Sequence, residues 1–95
     1  MNDSELIRLA AKAFELREGI DLSWWQPLND DGAAFRLACR LRIDIQWNHD
    51  SGYVEAYLSN IIGHPVIREL YVGKVDSSCR RAIVRAAAEI GRGME

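Results

Sequence analysis

IDIQWNHDSGYVEAYLS, residues 43–59, decides the fold. Its first five residues alternate strictly, so Ile43, Ile45 and Trp47 share one face of a strand while Asp44 and Gln46 take the other. NHDSG is dense in residues that favour tight turns. YVEAYLS then resumes the alternation, with Val54, Ala56 and Leu58 on one side and Tyr53, Glu55 and Tyr57 on the opposite side. Two alternating runs about such a turn predict a β-hairpin.

Downstream, NIIGHP breaks the pattern with Gly63 and Pro65, and VIRELYV is rich enough in β-branched and aromatic residues to add a third, antiparallel strand. Asp76, Ser77 and Ser78 are good helix caps. The helix they introduce presents Cys79, Ile83, Ala86, Ala87 and Ile90 on one side and arginines on the other, ending before Gly91 or Gly93. Upstream, Asn2, Asp3 and Ser4 cap a helix over residues 4–17, with Leu6, Leu9, Ala10, Ala13 and Phe14 as its apolar stripe and Gly19 as its stop. Pro27 makes residues 20–29 an extended connector outside the sheet. Asp30, Asp31 and Gly32 then start a second helix over residues 32–42, because an aspartate side chain accepts from the free amides of the first turn and suits its positive dipole end. That helix buries Ala34, Leu37, Ala38 and Leu41.

The order α-α-β-β-β-α predicts an α+β fold, three helices packed on a small three-stranded antiparallel sheet. Ninety-five residues supply one core, so residues 1–95 form a single domain. Helices on both sheet faces would make an α/β/α sandwich; helices on one face would leave the tyrosine side open. The pattern is compatible with both. A hydrophobic share of 48% beside 27% charged residues excludes a disordered tail or a membrane segment. The N-terminal MNDSELIRL lacks the basic and apolar regions of a signal peptide, so the expected location is the cytoplasm. With neither a CxxC pair nor a dense cysteine pattern, Cys39 and Cys79 are expected to be reduced, buried and structural.

WQPLNDDGAAFRLACRLRIDI (residues 25–45) and CRRAIVRAAAEIGRG (residues 79–93, matching over 80–92) resemble a family of small phage and prophage proteins that carry a phage α/β/α (ABA) sandwich domain. Members show a Trp-x-Pro-Leu-x-Asp-Asp-Gly step into a helix and a closing Arg-Arg-Ala-Ile-Val-Arg-Ala-Ala-Ala-Glu helix. The matching stretches cover roughly a third of the chain, and residues 46–75 depart from the pattern. The resemblance implies a phage or prophage origin, hence the host cell cytoplasm, and a three-layer sandwich. It brings no catalytic residues with it.

The chemistry-bearing residues point away from an enzyme. Asp30 and Asp31 sit where a helix needs a cap, not in a paired-carboxylate setting for acid and base work. His49, Asp50 and His64 lack metal-ligand spacing, Ser51, Ser59, Ser77 and Ser78 lack a GxSxG context, and no cofactor is implied. Tight wrapping of the sheet is expected to leave no cavity for chemistry. The surface is then where function lies. Trp24 and Trp25 are neighbours whose side chains diverge, so Trp25 is assigned to packing and Trp24 to an exposed contact. Trp24, Tyr53 and Tyr57 would anchor a host or phage protein, with Arg36 and Arg40, one helical turn apart, supplying charge. Self-association through the same aromatics is equally permitted. The alternative is a nucleic-acid-binding module on the arginine faces of the second and third helices, the latter carrying Arg81 and Arg85; a net charge of −2 gives it no global support.

Overall fold

The computed structural model describes residues 1–58, 66–71 and 74–95. It contains α1 (Asp3–Ala13), α2 (Asp31–Leu41), β1 (Asp44–Asn48), β2 (Tyr53–Tyr57), β3 (Ile67–Leu70) and α3 (Val75–Gly93), in the expected α-α-β-β-β-α order of an α+β fold.

Helix α1 starts on Asn2, whose side chain accepts from the Glu5 amide at 2.8 Å. It stops earlier than its apolar stripe suggested. Glu15 takes a left-handed conformation with φ 64°, and the Leu16 amide folds back on the Ala11 carbonyl at 3.0 Å. This paired closure satisfies the last carbonyls and turns Leu16 onto the core, so Gly19 is not the stop. The connector is built of tight turns rather than extended chain. The Trp25 amide donates to Leu22 and the Asp30 amide to Gln26, and Pro27 is fully buried.

Helix α2 is capped by Asp30, whose Oδ1 accepts from the Gly32 amide at 3.0 Å. Asp30→Ala is therefore expected to lower the unfolding free energy by about 1 kcal/mol, read as a lower urea midpoint at unchanged slope. Arg42 ends α2 in the left-handed conformation and delivers the chain into β1.

The sheet order is β1-β2-β3, both pairs antiparallel, with Ile45 opposite Ala56 and Trp47 opposite Val54. The hairpin turn closes through the Gly52 amide on the Asn48 carbonyl at 2.9 Å, with Gly52 at φ 72°, a conformation that favours glycine. On the inner face, Val54, Ala56 and Ile67 are buried against α3, the helix that packs on β2 and β3. Helices α1 and α2 pack against α3 rather than against the sheet. The layers thus run from sheet to α3 to α1 and α2, and no described helix lies on the face of Tyr53, Glu55 and Tyr57.

This central position changes the reading of α3. Its buried residues include Ala82, Ile83, Val84, Ala86, Ala87 and Ala88, which cover about two-thirds of the helix circumference rather than one narrow stripe and leave Arg81, Arg85 and Glu89 on the partly exposed side. Small side chains let three neighbours approach one axis. The helix begins at Val75, ahead of the expected caps. Lys74 makes no side-chain cap, and Ser78 instead donates to the Leu70 carbonyl at 3.0 Å, tying α3 to the end of β3. The helix also runs through Gly91 to Gly93. Gly91 marks the crossing with α1: a Cβ there would stand 1.9 Å from the Leu9 carbonyl oxygen.

Candidate functional site

The neighbouring tryptophans divide as their opposed directions require. Trp25 is 5% exposed, and its ring stacks on Phe14 with centroids 5.6 Å apart. Trp24 is 61% exposed. It sits on a braced loop: Ser23 donates its amide to Asp21 at 2.9 Å, and the Gln26 side chain donates to the Leu22 and Ser23 carbonyls. Arg40 lies over the Phe14 ring at 4.9 Å and pairs with Glu15, which places an ion pair where α1 runs into the same connector. Arg36 is exposed on α2.

The tyrosines form a separate surface on the outer sheet face. Asn48 donates to the Tyr53 hydroxyl at 3.1 Å, and the Tyr57 hydroxyl donates to Gln46 at 3.3 Å. Arg68 covers the Tyr53 ring at 4.1 Å while pairing with Glu55. Both rings are only half-buried, yet their polar ends and one ring face are engaged within the sheet. The structure does not join them to Trp24.

The arginines of α3 are largely committed within the fold. Arg81 pairs with Asp3 at 3.0 Å, and Arg85 pairs with Glu69 and donates to the Arg68 carbonyl. Arg80 donates Nε to the Leu28 carbonyl at 2.8 Å and Nη1 to Asp31 at 2.6 Å. The two aspartates therefore differ in role: Asp30 caps α2, while Asp31 locks its first turn onto α3. The stretches read in sequence as two motifs meet at this lock.

A groove of about 620 Å³ opens between α2, α3 and β1, where a closed surface was expected. Phe35, Cys39, Ile45, Trp47, Val75 and Cys79 are among its lining residues. It exists because α3 lies under β2 and β3, leaving the inner face of β1 to overhang. Phe35 is 68% and Trp47 48% exposed. One signal for Phe35 was legible: it falls outside the apolar stripe of α2 and so has no core to enter. Cys39 is exposed here, correcting the expectation of a buried residue, because the same rotation that buries Leu37 and Ala34 turns position 39 outward. Cys79 is half-buried. Its thiol is pushed up by burial and then by the charges of Asp31 and Asp76, with Arg80 opposing. A raised thiol holds less thiolate at any given pH. A disulfide-exchange reagent at mildly alkaline pH is accordingly expected to label Cys39 about tenfold faster than Cys79, read by peptide mass spectrometry.

His49 is exposed in the hairpin turn, its ring 6.0 Å from Tyr71, and His64 and Ser59 lie outside the described residues. Among the described residues no group of three or more His, Cys, Asp or Glu side chains is placed to hold a metal ion. No described helix is long and apolar enough to cross a membrane. No protein-family model, curated protein or solved structure matches this chain.

Proposed function

We propose that the chain is a small phage-derived accessory protein, non-enzymatic, that acts in the host cytoplasm by docking onto a host protein through the α1–α2 connector. The observation that carries this is the split of the tryptophan pair: Trp25 is built into the core and holds Trp24 outward on a hydrogen-bonded loop. An aromatic side chain presented on a rigid support has little further ordering entropy to lose on binding, which is what an interface anchor requires. Arg36, exposed on α2, and Arg40, which would exchange Glu15 for an acidic group of the partner, are the charged residues that would complement the anchor. The apolar lining of the α2–β1–α3 groove and the raised thiol of Cys79 favour contact over nucleophilic chemistry. The phage origin rests on the resemblance of the two stretches that meet at Arg80 and Asp31.

The test is affinity capture from nuclease-treated bacterial lysate with the wild-type chain and Trp24→Ala, followed by titration of the captured protein in purified form. Trp24→Ala is expected to weaken that purified interaction about tenfold or more while leaving the fold intact. Equal affinity of the two chains would contradict the proposal. Binding to DNA or RNA that falls steeply with salt would replace it with the nucleic-acid reading.

A further inference from the structure

We propose that the outer edge of β1, together with the groove beneath it, is the contact face for a second copy of this chain, the two β1 strands pairing antiparallel about Gln46 into one six-stranded sheet. This face is distinct from the Trp24 connector and does not depend on the docking reading.

Three observations converge on it. The first is the backbone. β1 ends the sheet, so among the described residues its outward amides and carbonyls have no strand partner. Sheet edges are usually guarded by charged side chains, lysine above all, by proline or by a bulge. Asp-Ile-Gln-Trp-Asn has no lysine or proline and a single charge, Asp44, at its first position, and its pairing with β2 runs through all five positions without a bulge. A strand is thus the partner this edge accepts best.

The second is the apolar overhang. Trp47 and Phe35, both largely exposed, flank the same groove on the side of the sheet that faces the helices. In a two-fold assembly whose axis is perpendicular to the sheet, the two helical layers lie on the same side. Each α2 then comes beneath the seam, and the overhanging faces of both β1 strands adjoin. The exposed parts of Trp47 and Phe35 contribute roughly 250 Å² per copy. A standard interface buries about 800 Å² per partner. The strand edge and groove walls would have to supply the remainder, which places the assembly among weak, concentration-dependent dimers.

The third is self-complementarity, which selects a second copy over an unrelated strand. Faces stay matched only when residues of like parity oppose one another. Of those registers, the one centred on Gln46 alone pairs all five residues. It sets Ile45 against the partner copy's Trp47 on the apolar face, and Asp44 against the partner copy's Asn48 on the polar face. Apolar meets apolar, each carboxylate meets an amide, and no like charges oppose.

The test is sedimentation equilibrium from about 10 µM to about 1 mM, the range in which a weak dimer declares itself. The variants are Trp47→Lys, which restores an edge guard, and Phe35→Glu, which leaves the strand untouched. Circular dichroism and the urea midpoint establish that each variant is folded. The wild-type mass is expected to rise toward twice the monomer value, with amide protection at residues 44–48 rising in parallel. Each folded variant is expected to raise the dissociation constant at least about tenfold. A wild-type chain that stays monomeric at about 1 mM would overturn the proposal, as would a dimer whose affinity neither variant changes. Should Trp47→Lys fail to fold, Phe35→Glu decides alone.

Discussion

Gly91→Ala is expected to cost about 3 kcal/mol or more of unfolding free energy, although alanine is the better helix former. The added Cβ would stand 1.9 Å from the Leu9 carbonyl oxygen and 2.7 Å from its carbon. Those are backbone atoms of α1, so no side-chain rotation relieves the clash; the two helices must move apart. That separation would open the contact among Leu9, Ala88 and Ala87, all at most slightly exposed, and strand part of the core. The control is Gly93→Ala, two residues later in the same helix, where an added Cβ meets nothing within 4 Å. Gly93→Ala is expected to be neutral or to stabilise by less than about 1 kcal/mol. Urea unfolding of the two variants reads opposite signs from the same substitution in one helix. A similar small effect for both would mean that α1 and α3 do not cross at Gly91.

Trp25→Ala should be of comparable severity, about 3–5 kcal/mol, since it removes a large buried ring and its stack on Phe14. A domain of this size has about 5–15 kcal/mol in total, so a large part of the population would lose cooperative folding on warming. Trp24→Ala, one position earlier, should stay within about 0.5 kcal/mol of wild type. Thermal unfolding followed by circular dichroism separates the pair. Equal effects would mean that the connector does not divide the two rings between core and surface.

Local chemistry in the sequence was read well where it decides a structure by itself. NHDSG between two alternating runs can hardly be anything but a hairpin turn, and the aspartate step before Ala33 carries its cap in its own side chain. The division of Trp24 from Trp25 followed from the opposed directions of adjacent residues. What escaped was set by tertiary packing. Gly91 reads as a helix stop until α1 is seen to press on it. Glu15 stops α1 because Leu16 has a core to enter, which no periodicity of residues 4–14 encodes. The alanines of α3 read as one apolar side with arginines on the other. Instead the buried arc wraps most of the helix, and Arg80, Arg81 and Arg85 reach from what remains to Asp31, Asp3 and Glu69.

The candidate surfaces divided along the same line. Trp24 was legible. The groove at Phe35 and Trp47 was not, because it depends on α3 lying under β2 and β3 and leaving β1 uncovered. The lock of Arg80 on Leu28 and Asp31 likewise needs the two motif stretches, far apart in sequence, to meet.

All of this hangs on α3 being the central helix of the fold, packed by α1, α2 and the sheet. Native-state amide hydrogen exchange tests that most directly. The amides of Ala82, Ile83, Val84, Ala86, Ala87 and Ala88 are expected to exchange slowest, at the free energy of global unfolding, while those of α1 and α2 open at or below it. Exchange through local opening at these α3 residues, faster than at α1, would contradict the account.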